Sequence, residues 1–129
     1  MGTHLALRLV KLLSQKEIQM SGSRGLLLGI TFKENCPDIR NSKVVDFYQE
    51  LVEYGINLEV YDPWADQEEV MEEYKIDLIN EPSGNYECII LAVSHQEFNS
   101  IDYKGLLSQK GVIFDIKGFL DKSFGAYRI

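Results

Sequence analysis

The chain has 129 residues, 45% hydrophobic and 26% charged, with a formal net charge of −7. That suits one domain with a modest core and excludes the basic face a general nucleic-acid binder needs to replace phosphate counterions. No apolar run approaches the roughly 18–20 residues of a membrane-spanning helix. The apolar stretch 5–13 contains Arg8 and Lys11 and no small-residue cleavage site follows it, so no signal peptide is expected. Cys36 and Cys88 make neither a disulfide framework nor a complete zinc site. A cytoplasmic acidic domain without membrane or nucleic-acid partners is the expectation.

Residues 3–19 are predicted to be helical, because Leu5, Leu9, Leu12 and Leu13 recur at helical spacing and Ala6 and Val10 widen the stripe. Met20, Ser21, Gly22 and Ser23 then form a short joint. Little sequence precedes this stripe, so it either folds back on the domain or pairs with a second copy. A buried strand is expected at 26–30, followed by a polar segment over 31–41. A helix over 42–54 would bury Val44, Phe47, Tyr48, Leu51 and Val52, with Asn41 or Ser42 as its cap and Gly55 at its end. A strand at 58–61 stops at Asp62-Pro63. An acidic helix over 65–74 would turn Val70, Met71 and Tyr74 inward. Another buried strand covers 88–93, a short helical piece lies near 103–109, and 112–115 is the last strand. Strands alternating with helices predict an α/β, Rossmann-like parallel sheet with helices on both faces, preceded by a helix.

Charge is unevenly spread. Residues 48–87 hold twelve acidic side chains and one basic one, Lys75, whereas 23–43 carry Arg24, Lys33, Arg40 and Lys43 against Glu34 and Asp38. Such an island is either solvated surface or a place that draws a small anion such as phosphate. In open parallel sheets ligands sit outside the carboxyl ends of the strands, here 31–40, 62–64, 94–97 and 116–118. The glycine pattern that seats a dinucleotide pyrophosphate is missing after the first strand. A loop with Phe32, Lys33, Asp38 and Arg40 stands there instead. A receiver domain is rejected too. Lys117 sits where its lysine would be, but Thr31-Phe32 and Ser94-His95 replace the carboxylates that magnesium requires.

The string Gly29-Ile30-Thr31-Phe32-Lys33-Glu34-Asn35-Cys36-Pro37-Asp38-Ile39-Arg40-Asn41-Ser42 closely resembles the signature loop of the UDP-glucose/GDP-mannose dehydrogenase family. That family's pattern is G-x-x-F-K followed by D-x-R-x-S, in its carboxy-terminal, nucleotide-sugar-binding domain. Tyr54-Gly55 and Val60-Tyr61-Asp62-Pro63 fit the same likeness. Glu34-Asn35-Cys36-Pro37 and Trp64 look most like the branch acting on UDP-N-acetylhexosamines for bacterial surface polysaccharides. The resemblance implies an oxidoreductase that converts the C6 hydroxyl of a UDP-sugar to a carboxylate with two NAD molecules and a cysteine-bound intermediate. It further implies a homodimer in the full-length enzyme. The NAD-binding amino-terminal domain and the catalytic-cysteine domain are not in this sequence. Residues 1–22 would then be the end of an interdomain helix and its joint, and 23–129 the UDP-sugar-binding domain, inactive alone.

By the same resemblance Lys33 helps bind the diphosphate, where a flexible ammonium is a good point-charge partner, and Phe32 lies at the mouth of the site. Lys117 follows the last strand near the nucleotide, and Arg40 reaches NAD across the domain cleft. Each has a plainer reading: Lys33 as a solvated loop residue, Lys117 as part of an ordinary turn, Arg40 as the ion-pair partner of Asp38. Asp38 is read as structural, accepting loop amides or holding Arg40. Cys36 is read as an inert loop thiol with no sequence-near histidine to activate it. His95 is read as an exposed loop residue that nothing pairs with, and Trp64 as a plug beneath the Asp62-Pro63 turn. No residue of this chain is assigned a catalytic or metal-binding role. The competing function is a non-catalytic Rossmann-like interaction or dimerisation module driven by the 3–19 helix.

Overall fold

The computed structural model describes residues 2–19, 21–40, 42–120 and 125–128. The elements run α1 (Gly2–Gln15), β1 (Arg24–Leu28), α2 (Val44–Glu53), β2 (Asn57–Tyr61), α3 (Gln67–Tyr74) and β3 (Tyr86–Leu91). A 3-10 turn (Gln96–Ser100), α4 (Tyr103–Leu106), β4 (Leu107–Asp115) and β5 (Tyr127–Arg128) complete the order. The sheet is parallel throughout, in the order β2-β1-β3-β4-β5.

Strand side chains alternate between two cores. Leu27, Cys88, Ile90, Val112 and Phe114 face α1, α2 and α3, while Leu26, Leu28, Ile89, Leu91 and Ile113 face Phe98 of the 3-10 turn and Tyr103 of α4. Burial on both faces is why these strands read as unbroken apolar runs rather than alternating ones. The expected α/β architecture with helices on both faces is the one observed. The stripe of α1 folds back on the domain: Leu5, Ala6, Leu9 and Leu13 are buried in the same core as Val45, Phe47 and Leu51 of α2.

Several expectations need correction. The first helix ends at Gln15. α2 starts at Val44 with Lys43 at its cap position and no side-chain cap. The Ser42 hydroxyl is buried without a hydrogen-bond partner among the described residues, so it caps nothing, and Asn41 lies outside them. Gly55 does end α2, with φ of 92° and its N–H donated to the Val52 carbonyl at 2.9 Å. Val52 and Met71, expected inward, are exposed. α3 is short, capped by Asp66 accepting from the amides of Glu68 and Glu69, and among its residues only Val70 is buried. The helical piece at 103–109 stops at Leu106. Leu107 turns extended, and pairing with β3 jumps from Tyr86↔Leu107 to Cys88↔Val112. At that jump a Cβ on Gly111 would lie 2.8 Å from the Tyr86 carbonyl, so a side chain there would break the approach. The 3-10 turn and two-residue β5 were not expected, being too short to carry a period.

The strand order reverses beside β1. The chain leaves β1 toward α2 on one face and leaves β3 toward the 3-10 turn and α4 on the other. This opens a crevice at the carboxyl ends of β1 and β3.

Candidate functional site

Gly29, just past β1, has φ of 96°, and a Cβ there would lie 2.5 Å from Cβ of Val93. Only glycine lets the outgoing loop press this closely on the end of β3. From the end of β2, Asp62 reaches across to hold the same loop. Its Oδ2 accepts the amides of Ile30 (2.7 Å) and Thr31 (3.1 Å), and its Oδ1 accepts those of Trp64 (2.8 Å) and Ala65 (3.2 Å). Burial pushes its carboxyl upward, but the hydrogen bonds from His95 and the backbone of Ile30 and Trp64 outweigh this and hold it below the usual carboxylate value.

His95 is fully buried and fully engaged, contrary to its reading as an exposed, unpaired loop residue. Its Nδ1 takes the amide proton of Asn35 at 2.8 Å, so the ring proton sits on Nε2, 3.0 Å from both Asp62 Oδ2 and Thr31 Oγ1. The Thr31 hydroxyl donates onward to the Lys33 carbonyl at 3.1 Å. Asn35 has φ of 54°, a left-handed conformation that asparagine tolerates, and its Oδ1 accepts the Gln96 amide at 3.0 Å. Trp64 covers this cluster instead of plugging its own turn: its ring stacks on His95 at 6.0 Å and its indole N–H donates to Glu97 Oε1 at 2.9 Å.

Beside the laced loop lies a cleft of about 270 Å³. Thr31, Phe32 and Lys33 from the β1 exit, Lys43 at the start of α2, and Ile116 and Lys117 after β4 form its walls, over Leu5, Phe47 and Val93. Phe32 is 59% exposed although apolar. The fully buried Asp115 carboxylate shapes the turn that presents Lys117, accepting the amides of Lys117 (3.1 Å) and Leu120 (2.8 Å). Three lysines among the residues lining a partly apolar cleft suit an anionic ligand with a planar or apolar part.

Phe32, Lys33 and Lys117 are thus brought together, whereas Arg40 is not among the residues lining the cleft. Its side chain is 82% exposed and its guanidinium forks onto Asp38, Nε to Oδ1 at 3.1 Å and Nη2 to Oδ2 at 3.2 Å. The bond to Arg40 holds the Asp38 carboxyl below its usual value. Asp38 also accepts the Arg40 amide at 2.9 Å, so it plays both structural parts expected of it. The positive island divides. Arg24 sits at the opposite end of the sheet, bound to Glu59 at 3.1 Å and stacked over Tyr86, while Lys43 joins the cleft unforeseen. Cys36 lies half-buried in the loop. Burial pushes the Cys88 thiol up to about 12, which leaves it no nucleophile. The meeting of Asn35, Asp62 and His95 is not legible in the sequence because it needs the β2-β1-β3 order; polar residues at adjacent strand ends were the available signal.

The profile described as "UDP-glucose/GDP-mannose dehydrogenase family, UDP binding domain" matches residues 26–122. The whole chain is 44% identical to a UDP-N-acetyl-D-glucosamine 6-dehydrogenase of Pseudomonas aeruginosa, covering 32% of that protein. Over 91% of its length it is 43% identical to a protein of the same name from Salmonella typhi, covering 28% of it. The chain therefore spans about a third of the length of these curated relatives. Among solved structures, a UDP-D-ManNAc dehydrogenase from Pyrococcus horikoshii superposes with a TM-score of 0.77 over 98% of this chain and 29% of that one, at 20% identity. That likeness concerns the fold alone.

Proposed function

The chain belongs to the UDP-glucose/GDP-mannose dehydrogenase family, as its UDP-binding domain, and from that premise we propose that the cleft takes the UDP half of a UDP-sugar. The observation that carries the reading is the convergence of Lys33 and Lys117, from the ends of β1 and β4, on one cleft with Phe32 at its mouth. The ammonium groups of Lys33, Lys117 and Lys43 neutralise the diphosphate, and Phe32 supplies apolar contact at the entrance. The 44% and 43% identities to enzymes named for UDP-N-acetyl-D-glucosamine favour a UDP-N-acetylhexosamine as substrate.

In this reading the whole protein is a cytoplasmic, homodimeric, NAD-dependent 6-dehydrogenase of polysaccharide or capsule biosynthesis. NAD, when bound, supplies hydride acceptance at the sugar C6. This chain's own residues do not fit an NAD pocket, since the β1 exit carries the loop 29–42 in place of a glycine-lined phosphate turn. NAD is thus held mainly by the amino-terminal domain. Arg40, exposed and preset by Asp38, is the group here that reaches toward it. The domain binds and orients; the chain alone turns over no substrate. The burial of Leu5, Leu9 and Leu13 within the chain's own core speaks against a module that dimerises through that stripe.

Amide-shift NMR titration with UDP, UDP-N-acetylglucosamine and NAD tests the proposal. UDP is expected to bind at roughly millimolar Kd, about −4 kcal/mol, with shifts confined to 29–42 and 115–118 and lost in Lys33→Ala. An absence of shifts at UDP concentrations well above that Kd overturns it.

A further inference from the structure

We propose that His95 is a positioning residue that sets the backbone of Lys33 for ligand binding, an inference that rests on the nucleotide reading of the cleft. The ring is fully buried and does not line the cleft, so it acts through the loop and not on the ligand. It grips that loop on both sides of Lys33. On the far side its Nδ1 accepts the Asn35 amide at 2.8 Å. On the near side its Nε2–H lies 3.0 Å from Thr31 Oγ1, whose own proton goes to the Lys33 carbonyl at 3.1 Å. Asp62 Oδ2, also 3.0 Å from Nε2, anchors the ring to the end of β2.

The chemistry requires one acceptor and one donor about as far apart as the two nitrogens of an imidazole. The Asn35 amide can only donate, so Nδ1 must present a lone pair. The Thr31 hydroxyl donates its proton to the Lys33 carbonyl, so toward Nε2 it can only accept, sharing the one Nε2–H with Asp62 Oδ2. The neutral Nε2–H tautomer meets both demands at once, and its burial removes competition from water. Without the ring, the Asn35 amide loses its partner, and the left-handed φ of 54°, which asparagine tolerates among other conformations, is no longer fixed by that bond. The segment 31–35 then samples other conformations. Lys33 keeps its charge but loses its place, and preorganisation of the cleft is lost with it.

The test is UDP titration of the 129-residue chain and of His95→Ala, His95→Gln, Lys33→Ala and the His95→Ala/Lys33→Ala double variant, with folding checked by amide dispersion. A glutamine amide offers an acceptor and a donor at nearly the imidazole spacing, so His95→Gln is expected within about twofold of wild type. His95→Ala is expected to weaken UDP about tenfold, or 1.4 kcal/mol, with no further loss in the Lys33→Ala background because the two act through one group. Should His95→Ala fail to fold, Thr31→Val removes the hydroxyl that reaches the Lys33 carbonyl and is expected to weaken UDP in the same Lys33-dependent way. Unaltered UDP affinity in folded His95→Ala or in Thr31→Val, or a loss additive with that of Lys33→Ala, overturns the positioning role while leaving the nucleotide site standing. Wild type that ignores UDP, or binds it equally well as Lys33→Ala, overturns the nucleotide reading and the positioning role with it.

Discussion

Asp62 is a nearly buried carboxylate that four backbone amides and the His95 ring make tolerable; a buried charge persists only when its lone pairs are filled. Asp62→Ala strands those amides without an acceptor and is expected to cost about 3 kcal/mol in urea unfolding. The pH dependence has a definite sign. The folded-state value lies below the ordinary 3.8, so the folded chain binds fewer protons there than the unfolded one and stability rises with pH. The contribution is complete above the ordinary value and disappears as pH falls through the folded one. Asp62→Asn should therefore flatten the acid limb of the stability curve; an unaltered limb would remove Asp62 from the account. In the sequence Asp62 is visible as the residue that ends a strand. Its reach to the β1 exit is not, since 31 residues separate it from Thr31.

At the scale of elements, the long amphipathic segments declared themselves, whereas the short helical piece near 103–109 was legible in its start and not in its end, and the 3-10 turn and β5 not at all. α1 and α2 carry enough turns for a stripe to stand out, whereas the four-residue α4 and two-residue β5 are stabilised by their neighbours alone. Which face of α1 is buried was readable; what buries it was not. The structure places Leu9 beneath α2 and the sheet with no exposure. Leu9→Ala is expected to destabilise the chain by about 2–5 kcal/mol, measured as a shift of the urea midpoint at constant slope. A change below about 0.5 kcal/mol, the size typical of surface positions, would mean that α1 does not belong to this core.

Over the whole molecule, charge and apolar surface are divided among regions. The acidic residues concentrate between 48 and 87, while three lysines from distant parts of the chain converge on the cleft. Among the described residues no helix is long and apolar enough to cross a membrane. Because the α1 stripe is spent within its own chain, the 129-residue protein is expected to sediment as a monomer at micromolar concentration. A dimer that dissociates on Leu7→Lys, at a position exposed on α1, would contradict this and revive the interaction-module reading.

What the amino-acid sequence determined by itself was local or periodic: the alternation of apolar runs and amphipathic stretches that makes a parallel sheet, the helix end at Gly55, and a fourteen-residue string specific enough to name a family. Such information survives in one dimension because backbone preference and hydrophobic period act over a few neighbouring residues. The tertiary structure decided everything that depends on strand order. By placing β2, β1 and β3 side by side, it brought Asp62, Thr31 and His95 into one buried network. It also set Lys43 and Lys117 across a cleft from Lys33. Hydrogen bonds between strand ends 30–65 residues apart leave no periodic trace along the chain, so only the folded molecule discloses them.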